Sequence, residues 1–399
     1  MTKGKANFFV FLIVAAFIVA IVLASALTFA TQIAFADSNK FENVGKSAYL
    51  VDYASGEVLY ARNEDEKLPI ASMVKIMTAN LTLEAIERGE ISLDDDVLVS
   101  ENAANMGGSQ VFLDKDSTHK VGDLLRSVIV ASANDSCVAL AEHISGSVEN
   151  FVVKMNERAK ELGMQNTHFV NCTGLPAPNG YSSAKDSAKM FAALTKHPIF
   201  FEYAKVWMED FKHPSGRTTS IANTNKLVRF YEGCDGGKTG FTNEARFCLT
   251  ATAKRGDMRV IAVMIGADSA KNRNMAVSQM FDFAFANFEN KVLLKSDDLI
   301  ENTVEVLGGK QNGVKLGVGS DLTAFSKKNS SDSLELRFEL PAKVKAPLGV
   351  GDVIGKAYIV KNGVVIKEEP VVVKEAVERR SFYDAIKDAV RGWSTQIAK

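Results

Sequence analysis

The sequence predicts an α+β domain, then a small all-β module, then a terminal amphipathic helix. In the first part, strand-like segments stand at both ends with helical runs between and after them. Residues 291–375 instead alternate apolar and polar side chains around an Asn-Gly turn, and the last residues repeat apolar side chains at helical spacing.

The elements follow in order. Lys3 and Lys5 precede Phe8–Ala30, 23 residues without a charged side chain, and "AFADS" comes after them. Ala34-Phe35-Ala36 fits the small-residue pattern cut by signal peptidase, so residues 1–36 read as an export signal. The apolar span also reaches the ~20 residues that cross a bilayer, and a retained signal anchor is the alternative. Past a polar joint, "SAYLVDYASGEVLYARN" reads as two strands turning at Ser55-Gly56. "PIASMVKIMTANLTL" (69–83), "KVGDLLRSVIVA" and "SCVALAEHIS" read as helices. A loop-rich region runs to about Asn225, and "RFCLTATAKRGDMRVIAVMIGA" then reads as strands turning at Arg255-Gly256-Asp257. In "NMAVSQMFDFAFANFEN", Val277, Phe281, Ala284, Phe285 and Phe288 recur at helical spacing and are expected to pack on a sheet. This domain is assigned to residues 43–290 and the β module to 291–375. In the module "LELRFEL" alternates strictly, and "AYIVKNGVVIKEE" is a hairpin at Asn362-Gly363. Phe382, Ile386, Ala389, Val390, Trp393 and Ile397 fall on one face of a helix over 378–397. Residues 376–399 carry a net charge of +2, which suits a membrane surface; docking on a protein is the alternative.

Composition narrows the function classes. A formal net charge of -1 gives no reason to expect nucleic acid as a partner. The five histidines (His119, His143, His168, His197, His213) lack ligand-like spacing, which disfavours a zinc peptidase. Cys137, Cys172, Cys234 and Cys248 form no C-x-x-C pair; a Cys234–Cys248 bridge and buried free thiols are both open readings.

Chemistry is concentrated in three short stretches. In "PIASMVKIMTANLTL" Ser72 and Lys75 lie three residues, nearly one helical turn, apart and so point the same way. An ammonium in an apolar run is costly unless it is paired or deprotonated. Lys75 therefore either stretches its charge to water or serves as a base for a Ser72 nucleophile. "VASANDSC" places Ser132 and Asn134 in a break between two helices, and "GGKTGFTNEA" places Lys238, Thr239 and Gly240 at the start of a strand pair. Helix capping accounts for Ser132 and Asn134 taken singly, as a solvated strand end does for Lys238. Decoys exist in "SSAK" (182–185) and at Ser100–Asn102, but only Ser72…Lys75, Ser132…Asn134 and Lys238…Gly240 give all three elements in order with room for a domain around them.

This ordered triple resembles the signature of penicillin-binding proteins and serine β-lactamases. More closely, the chain resembles the low-molecular-mass D-alanyl-D-alanine carboxypeptidases, through "KLPIASMVKIMTA", "GGSQVFL", "LLRSVIVASANDSCVALAE", "GGKTGFTNEARFCLTATAK" and "MRVIAVMIGA", over roughly residues 43–397. The resemblance implies a DD-peptidase/β-lactamase-like domain, an antiparallel sheet with helices plus an all-helical lobe. It implies removal of the terminal D-alanine from peptidoglycan stem peptides through a Ser72 acyl-enzyme, and acylation by β-lactams. In that scheme Lys75 is the base, Ser132 relays a proton to the leaving amine, and Asn134 holds the substrate backbone. Lys238, Thr239, Gly240 and Arg273 bind the terminal carboxylate side, and the N–H groups of Ser72 and Phe241 form the oxyanion hole. Arg273 taken singly reads as an exposed charge at a helix start. No cofactor and no metal are implied, the expected location is the outer face of the cytoplasmic membrane or the cell wall, and the sequence sets no oligomeric state. Two positions depart from the family pattern: Val74 stands where threonine is usual, and Arg246 where glycine is usual. A β-lactamase, a DD-endopeptidase or transpeptidase, and a non-catalytic penicillin- or wall-binding protein are the rival readings. No E-x-x-x-N pattern follows "SAND" to supply a deacylating glutamate.

Overall fold

The computed structural model describes residues 41, 43–301 and 304–381. The chain divides into two compact units, the first running to Ala284 apart from Gly256–Met258 and the second containing those three residues and the chain from Phe285 onward.

In the first unit, β1 (Ser47–Asp52) and β2 (Val58–Arg62) form the expected hairpin. A 3-10 turn (Ala71–Val74) leads into α1 (Lys75–Glu87). Helix α1 is buried nearly all round, polar Thr78, Asn80 and Thr82 included, which explains why its apolar residues are not confined to one stripe. Its end is set by Gly89, at φ 70°. The elements β3 (Asp96–Leu98), α2 (Glu101–Ala104), β4 (Thr118–Lys120), α3 (Val121–Val130), α4 (Asn134–Ser145), α5 (Val148–Glu161), α6 (Ala184–Leu194) and α7 (Pro198–Ala204) follow. Next come the hairpin β5 (Met208–Lys212) and β6 (Thr218–Ala222), then α8 (Leu227–Phe230), β7 (Cys234–Thr242), β8 (Arg246–Arg255), β9 (Met258–Ala267) and α9 (Ala270–Asn287). The central sheet has the order β2-β1-β9-β8-β7. One large apolar core joins α1, α3, α4 and α6 to this sheet; Met73, Ile76, Met77, Phe151 and Phe191 are almost wholly buried in it.

The structure also disposes of the sequence decoys. Ser182 bridges to Leu68 through its backbone and its Oγ lies 2.8 Å from Thr167 Oγ1, while Lys185 pairs at 3.4 Å with Asp65. Ser100 caps α2 by accepting from the Ala103 N–H, a duty for which serine is favoured.

The last helix ends earlier than its periodicity predicts. Val277, Phe281, Ala284 and Phe285 are buried as expected, but Phe288 opens β10 (Phe288–Leu294), which pairs with β13 (Leu322–Lys327). Ladder hydrogen bonds take over at that point, and a local 3.6-residue pattern cannot foresee a strand partner so distant in the chain. The second unit also holds β11 (Glu305–Leu307), β12 (Leu316–Val318), β14 (Leu334–Glu339), β15 (Lys343–Lys345), β16 (Val353–Lys361) and β17 (Val364–Val373). Its largest sheet has the order β12-β17-β16-β14. The β16–β17 turn uses Asn362 and Gly363 at φ 51° and 83°, the left-handed pair that a two-residue hairpin demands. The helix expected from residue 378 does not begin there: Val377 and Arg379 bridge to Leu348 and Gly309, so the first turn of the predicted helix is spent on sheet-like pairing. The remainder of that segment and residues 1–36 lie outside the described residues. Among the described residues no helix is long and apolar enough to cross a membrane.

Candidate active site

Ser72 sits in the 3-10 turn that Pro69 and Ile70 feed, with Ala71 before it in the left-handed region at φ 47°. Two glycines make this turn possible. A Cβ on Gly240 of β7 would lie 2.5 Å from the Ile70 carbonyl oxygen, and one on Gly174 would lie 2.0 Å from that of Ala71. No real side chain fits either gap, so the strand and the 171–174 loop close on the serine through bare backbone.

Lys75 opens α1 one turn further on. Its Nζ lies 3.1 Å from Ser72 Oγ and donates to the Thr173 carbonyl at 2.6 Å. The side chain is only 1% exposed, so it does not stretch its charge to water. Burial lowers its pKa below the ordinary lysine value, opposed more weakly by Cys137, Cys172 and Asp135. The Thr173 carbonyl is a partner that sequence reasoning missed, because a backbone oxygen carries no residue signature. The turn residues of "NCTGLP" were the available hint: Asn171 Oδ1 accepts from the N–H groups of Thr173 and Gly174 at 3.2 and 2.6 Å.

Ser132 lies between α3 and α4 at φ 66°, a left-handed conformation that costs a non-glycine residue about 1–3 kcal/mol. It is therefore not a helix cap, and α4 has no side-chain cap at all. Ser132 Oγ accepts from Lys238 Nζ at 2.8 Å, and the same ammonium donates to the Thr239 carbonyl at 3.0 Å. Lys238 is buried rather than a solvated strand end. Burial first, then the neighbouring Lys75 and Arg273, push its pKa well down. Both amines are thus held below the ordinary lysine value, chiefly by burial, and each like charge disfavours the other. Both Lys238 and Thr239 belong to β7, whose Gly240 pairs with Cys248 and whose Phe241 pairs with Phe247 on β8.

Asn134 donates through Nδ2 to the Gly107 carbonyl at 2.6 Å, and its Oδ1 is buried without a partner. A buried, unsatisfied acceptor is rare and marks a position ready for a donor. The loop of "GGSQVFL" is held against α4 by Asp135, which accepts from the N–H groups of Val111 and Leu113, both at 3.1 Å. Arg273, in α9, is 5% exposed, so the exposed-charge reading of this residue fails. Its guanidinium donates to Asn274 Oδ1 and to the Cys248 carbonyl, and burial lowers its pKa to about 10. Ser72 of the serine turn, Lys75 of α1, Ser132 of the α3–α4 break, Lys238 of β7 and Arg273 of α9 are thus linked by direct contact or by like-charge repulsion, with Asn134 two residues beyond Ser132 and Thr239 next to Lys238. Phe241, also of β7, is 51% exposed, its ring 4.4 Å from that of Phe247.

The two departures have distinct settings. Val74 lines a cleft together with Ile70, Ala71 and residues of the 168–181 loop. Arg246 ends the three-residue β7–β8 turn at φ 58°, a position where glycine is favoured and an L side chain is strained. All four cysteines are free and buried, with Cys234 opposite Ala253 and Cys248 opposite Gly240, so no bridge joins them. Burial pushes the thiols of Cys137 and Cys248 up to about 11, which keeps them protonated and inert. Among the described residues no group of three or more metal-ligating side chains occurs.

Comparison with known proteins gives a consistent neighbourhood. The profile of the D-alanyl-D-alanine carboxypeptidase family matches residues 34–269, and that of the C-terminal domain of penicillin-binding protein 5 matches residues 288–379. The D-alanyl-D-alanine carboxypeptidase DacF of Bacillus subtilis (strain 168) is 40% identical over 359 residues, covering 90% of this chain and 92% of that protein. DacC of Escherichia coli (strain K12), named as the same activity, is 36% identical over 86% of each chain. Among solved structures, penicillin-binding protein 5 from Haemophilus influenzae superposes with a TM-score of 0.67 at 34% identity, covering 84% of this chain and 98% of that one.

Proposed function

We propose, for a chain that belongs to the D-alanyl-D-alanine carboxypeptidase family, that Ser72 is the nucleophile and Lys75 its base. The chain is a serine-type D-alanyl-D-alanine carboxypeptidase and a low-molecular-mass penicillin-binding protein. The observation that carries the residue assignment is a fully desolvated amine 3.1 Å from a serine hydroxyl and locked there by the Thr173 carbonyl.

Neutral Lys75 accepts the Ser72 proton as Oγ attacks the carbonyl carbon between the two D-alanines of a stem peptide. The backbone N–H groups of Ser72 and Phe241 hold the developing oxyanion; one such donor is typically worth ~3–4 kcal/mol. Ser132 passes a proton to the departing D-alanine amine and is re-protonated by Lys238, which recovers a proton from Lys75, so that Lys75 is neutral again. The bond from carbonyl carbon to amine nitrogen breaks, leaving an ester on Ser72. Water, deprotonated by Lys75, then attacks the ester and restores the serine. Lys238, Thr239 and Arg273 receive the terminal carboxylate, and Asn134 Oδ1 accepts a substrate backbone N–H.

A β-lactam acylates the same serine. Residues 168–183 carry no aspartate or glutamate, so the loop facing Ser72 offers no carboxylate to activate a deacylating water. This supports a long-lived adduct over β-lactamase turnover. Intact mass after penicillin treatment, followed by peptide mapping, is expected to show one adduct at Ser72 and none in Ser72→Ala; an adduct on another serine refutes the assignment.

The units also have proposed roles: residues 43–290 are catalytic, 291–375 form a β module, and 1–36 direct export to the cell wall side of the membrane. The segment from Phe382 onward is proposed to lie on the membrane surface through its apolar and aromatic face. Deleting residues 382–399 is expected to lower the fraction bound to anionic liposomes when the N-terminal span is also removed; an unchanged bound fraction rejects this.

A further inference from the structure

The loop that gives Asn134 its partners is itself fastened by a hairpin outside the reacting groups. Asn134 donates through its backbone N–H to the Ser109 carbonyl at 2.7 Å and through Nδ2 to that of Gly107. Beyond Ser109 the loop is pinned from two sides. Asp135 of α4 holds the N–H groups of Val111 and Leu113. The β5–β6 hairpin holds the oxygens. Thr219 Oγ1 donates to the Val111 carbonyl at 3.1 Å, and Arg217 donates to the Phe112 carbonyl and, at 3.0 Å, to the Asp114 carboxylate. Between these ties Phe112 sits at φ 63°, a left-handed conformation that a side-chain-bearing residue keeps only where its surroundings enforce it.

His213, buried in the same hairpin, ties Thr219 and Arg217 together. Thr219 spends its own proton on Val111, so its oxygen accepts from His213 Nε2 at 2.9 Å. Nε2 therefore carries the ring proton, and Nδ1 is the bare acceptor that faces the Arg217 guanidinium at 3.3 Å. One neutral tautomer satisfies every contact. A proton on Nδ1 would set donor against donor and cation against cation. The other charged groups facing the ring are Asp114 of the loop and Asp135 of α4. His119 of β4 lies edge-on to it at 5.7 Å, with Asp123 of α3 as a neighbour of its own. Burial first, then Arg217, hold the pKa of His213 below the ordinary 6.5, against the two carboxylates and the Val111 carbonyl. We propose that His213 and Arg217 are positioning residues for Asn134, and that a proton on His213 loosens Arg217 from the loop and weakens substrate binding. The hold is intact at neutral pH and is lost as pH falls through a midpoint below 6.5. This inference rests on the carboxypeptidase reading, in which Asn134 holds the substrate backbone.

The test uses the full chain carrying Ser72→Ala, so that binding is read without chemistry. The probe is Nα,Nε-diacetyl-lysyl-D-Ala-D-Ala, and ligand-observed NMR gives its Kd at about pH 7.5 and about pH 5. Kd is expected to rise about fivefold at the lower pH, the scale of one hydrogen bond. The peptide carboxylate stays ionised over this range, and protons gained by Lys75 or Lys238 would tighten its binding, so neither accounts for a rise. His213→Gln keeps a donor for Thr219 and takes up no proton, and should cut the pH effect to less than about twofold. Arg217→Met should show the weakened Kd at both pH values, with Arg217→Lys recovering part of the loss at neutral pH. Should Arg217→Met not fold by thermal unfolding, the contrast between the parent and His213→Gln decides alone. A Kd independent of pH in the parent, an equal rise in His213→Gln, or unweakened binding by folded Arg217→Met overturns the positioning role and leaves the carboxypeptidase reading intact. Absence of peptide binding at neutral pH, together with no D-alanine released by the wild-type chain, overturns the carboxypeptidase reading itself.

Discussion

Lys75→Met is expected to slow acylation of Ser72 by penicillin about 10²- to 10⁴-fold, the range that a positioned general base contributes. Methionine fills a similar volume without a proton acceptor, so the loss reads the chemistry rather than a cavity. The Thr173 carbonyl loses its donor, a cost of about 1–3 kcal/mol, but a desolvated amine disappears as well, and the two changes oppose each other. Lys75→Arg should not rescue the rate, because a guanidinium keeps its proton throughout the working pH range. The wild-type rate is expected to rise with pH as Lys75 becomes neutral. Because its pKa is lowered by burial, that rise belongs below the ordinary lysine value of 10.5. With Lys238 adjacent, the midpoint belongs to the pair rather than to one amine. Adduct mass against time across pH 5–10 makes the measurement. A Lys75→Met variant acylated within threefold of wild type at neutral pH would remove Lys75 from the base role.

Gly174→Ala is expected to be the most damaging single methyl in the first unit. The residue sits at φ 79°, and its Cβ would lie 2.0 Å from the Ala71 oxygen and 2.4 Å from the Ala71 carbonyl carbon. Both atoms are backbone and cannot swing aside, so either the 171–174 loop or the serine turn must move. A cost of roughly 3 kcal/mol or more is expected from strain plus displacement. Moving the loop takes the Thr173 carbonyl away from Lys75, and misplacement of this kind can cost about 10²-fold in rate. Gly216→Ala is the control: it has the same left-handed backbone at φ 83° but open space around it, so it should cost only about 1 kcal/mol. Thermal unfolding and acylation rates measured on both variants make the comparison. Equal behaviour of the two would show that close approach at Gly174 does not shape the site.

Much of the fold was legible because its signals are local. Alternation in "LELRFEL", the Asn362-Gly363 turn and the β1–β2 hairpin each depend on a few consecutive side chains, and each strand formed where its residues dictate. The end of α9 was not legible, since the pairing of Phe288 with Lys327 is decided far along the chain. The start of the terminal helix failed for the same reason, because Arg379 found a sheet partner in Gly309. At the site, residue types and their order pointed to serine, lysine, asparagine and the Lys238–Gly240 triplet, because each carries side-chain chemistry. The Thr173 carbonyl, the glycine gaps and the unpaired Asn134 oxygen do not announce themselves in this way.

By itself the sequence determined which side chains this protein has available for acyl transfer and in what order they occur. Tertiary structure decided their state. Burial of Lys75 lowers its pKa and turns an ordinary cation toward a proton acceptor, while a hydrogen bond to a carbonyl nearly a hundred residues away holds the amine beside Ser72. Desolvation and distance are properties of packing, and no run of neighbouring residues encodes them.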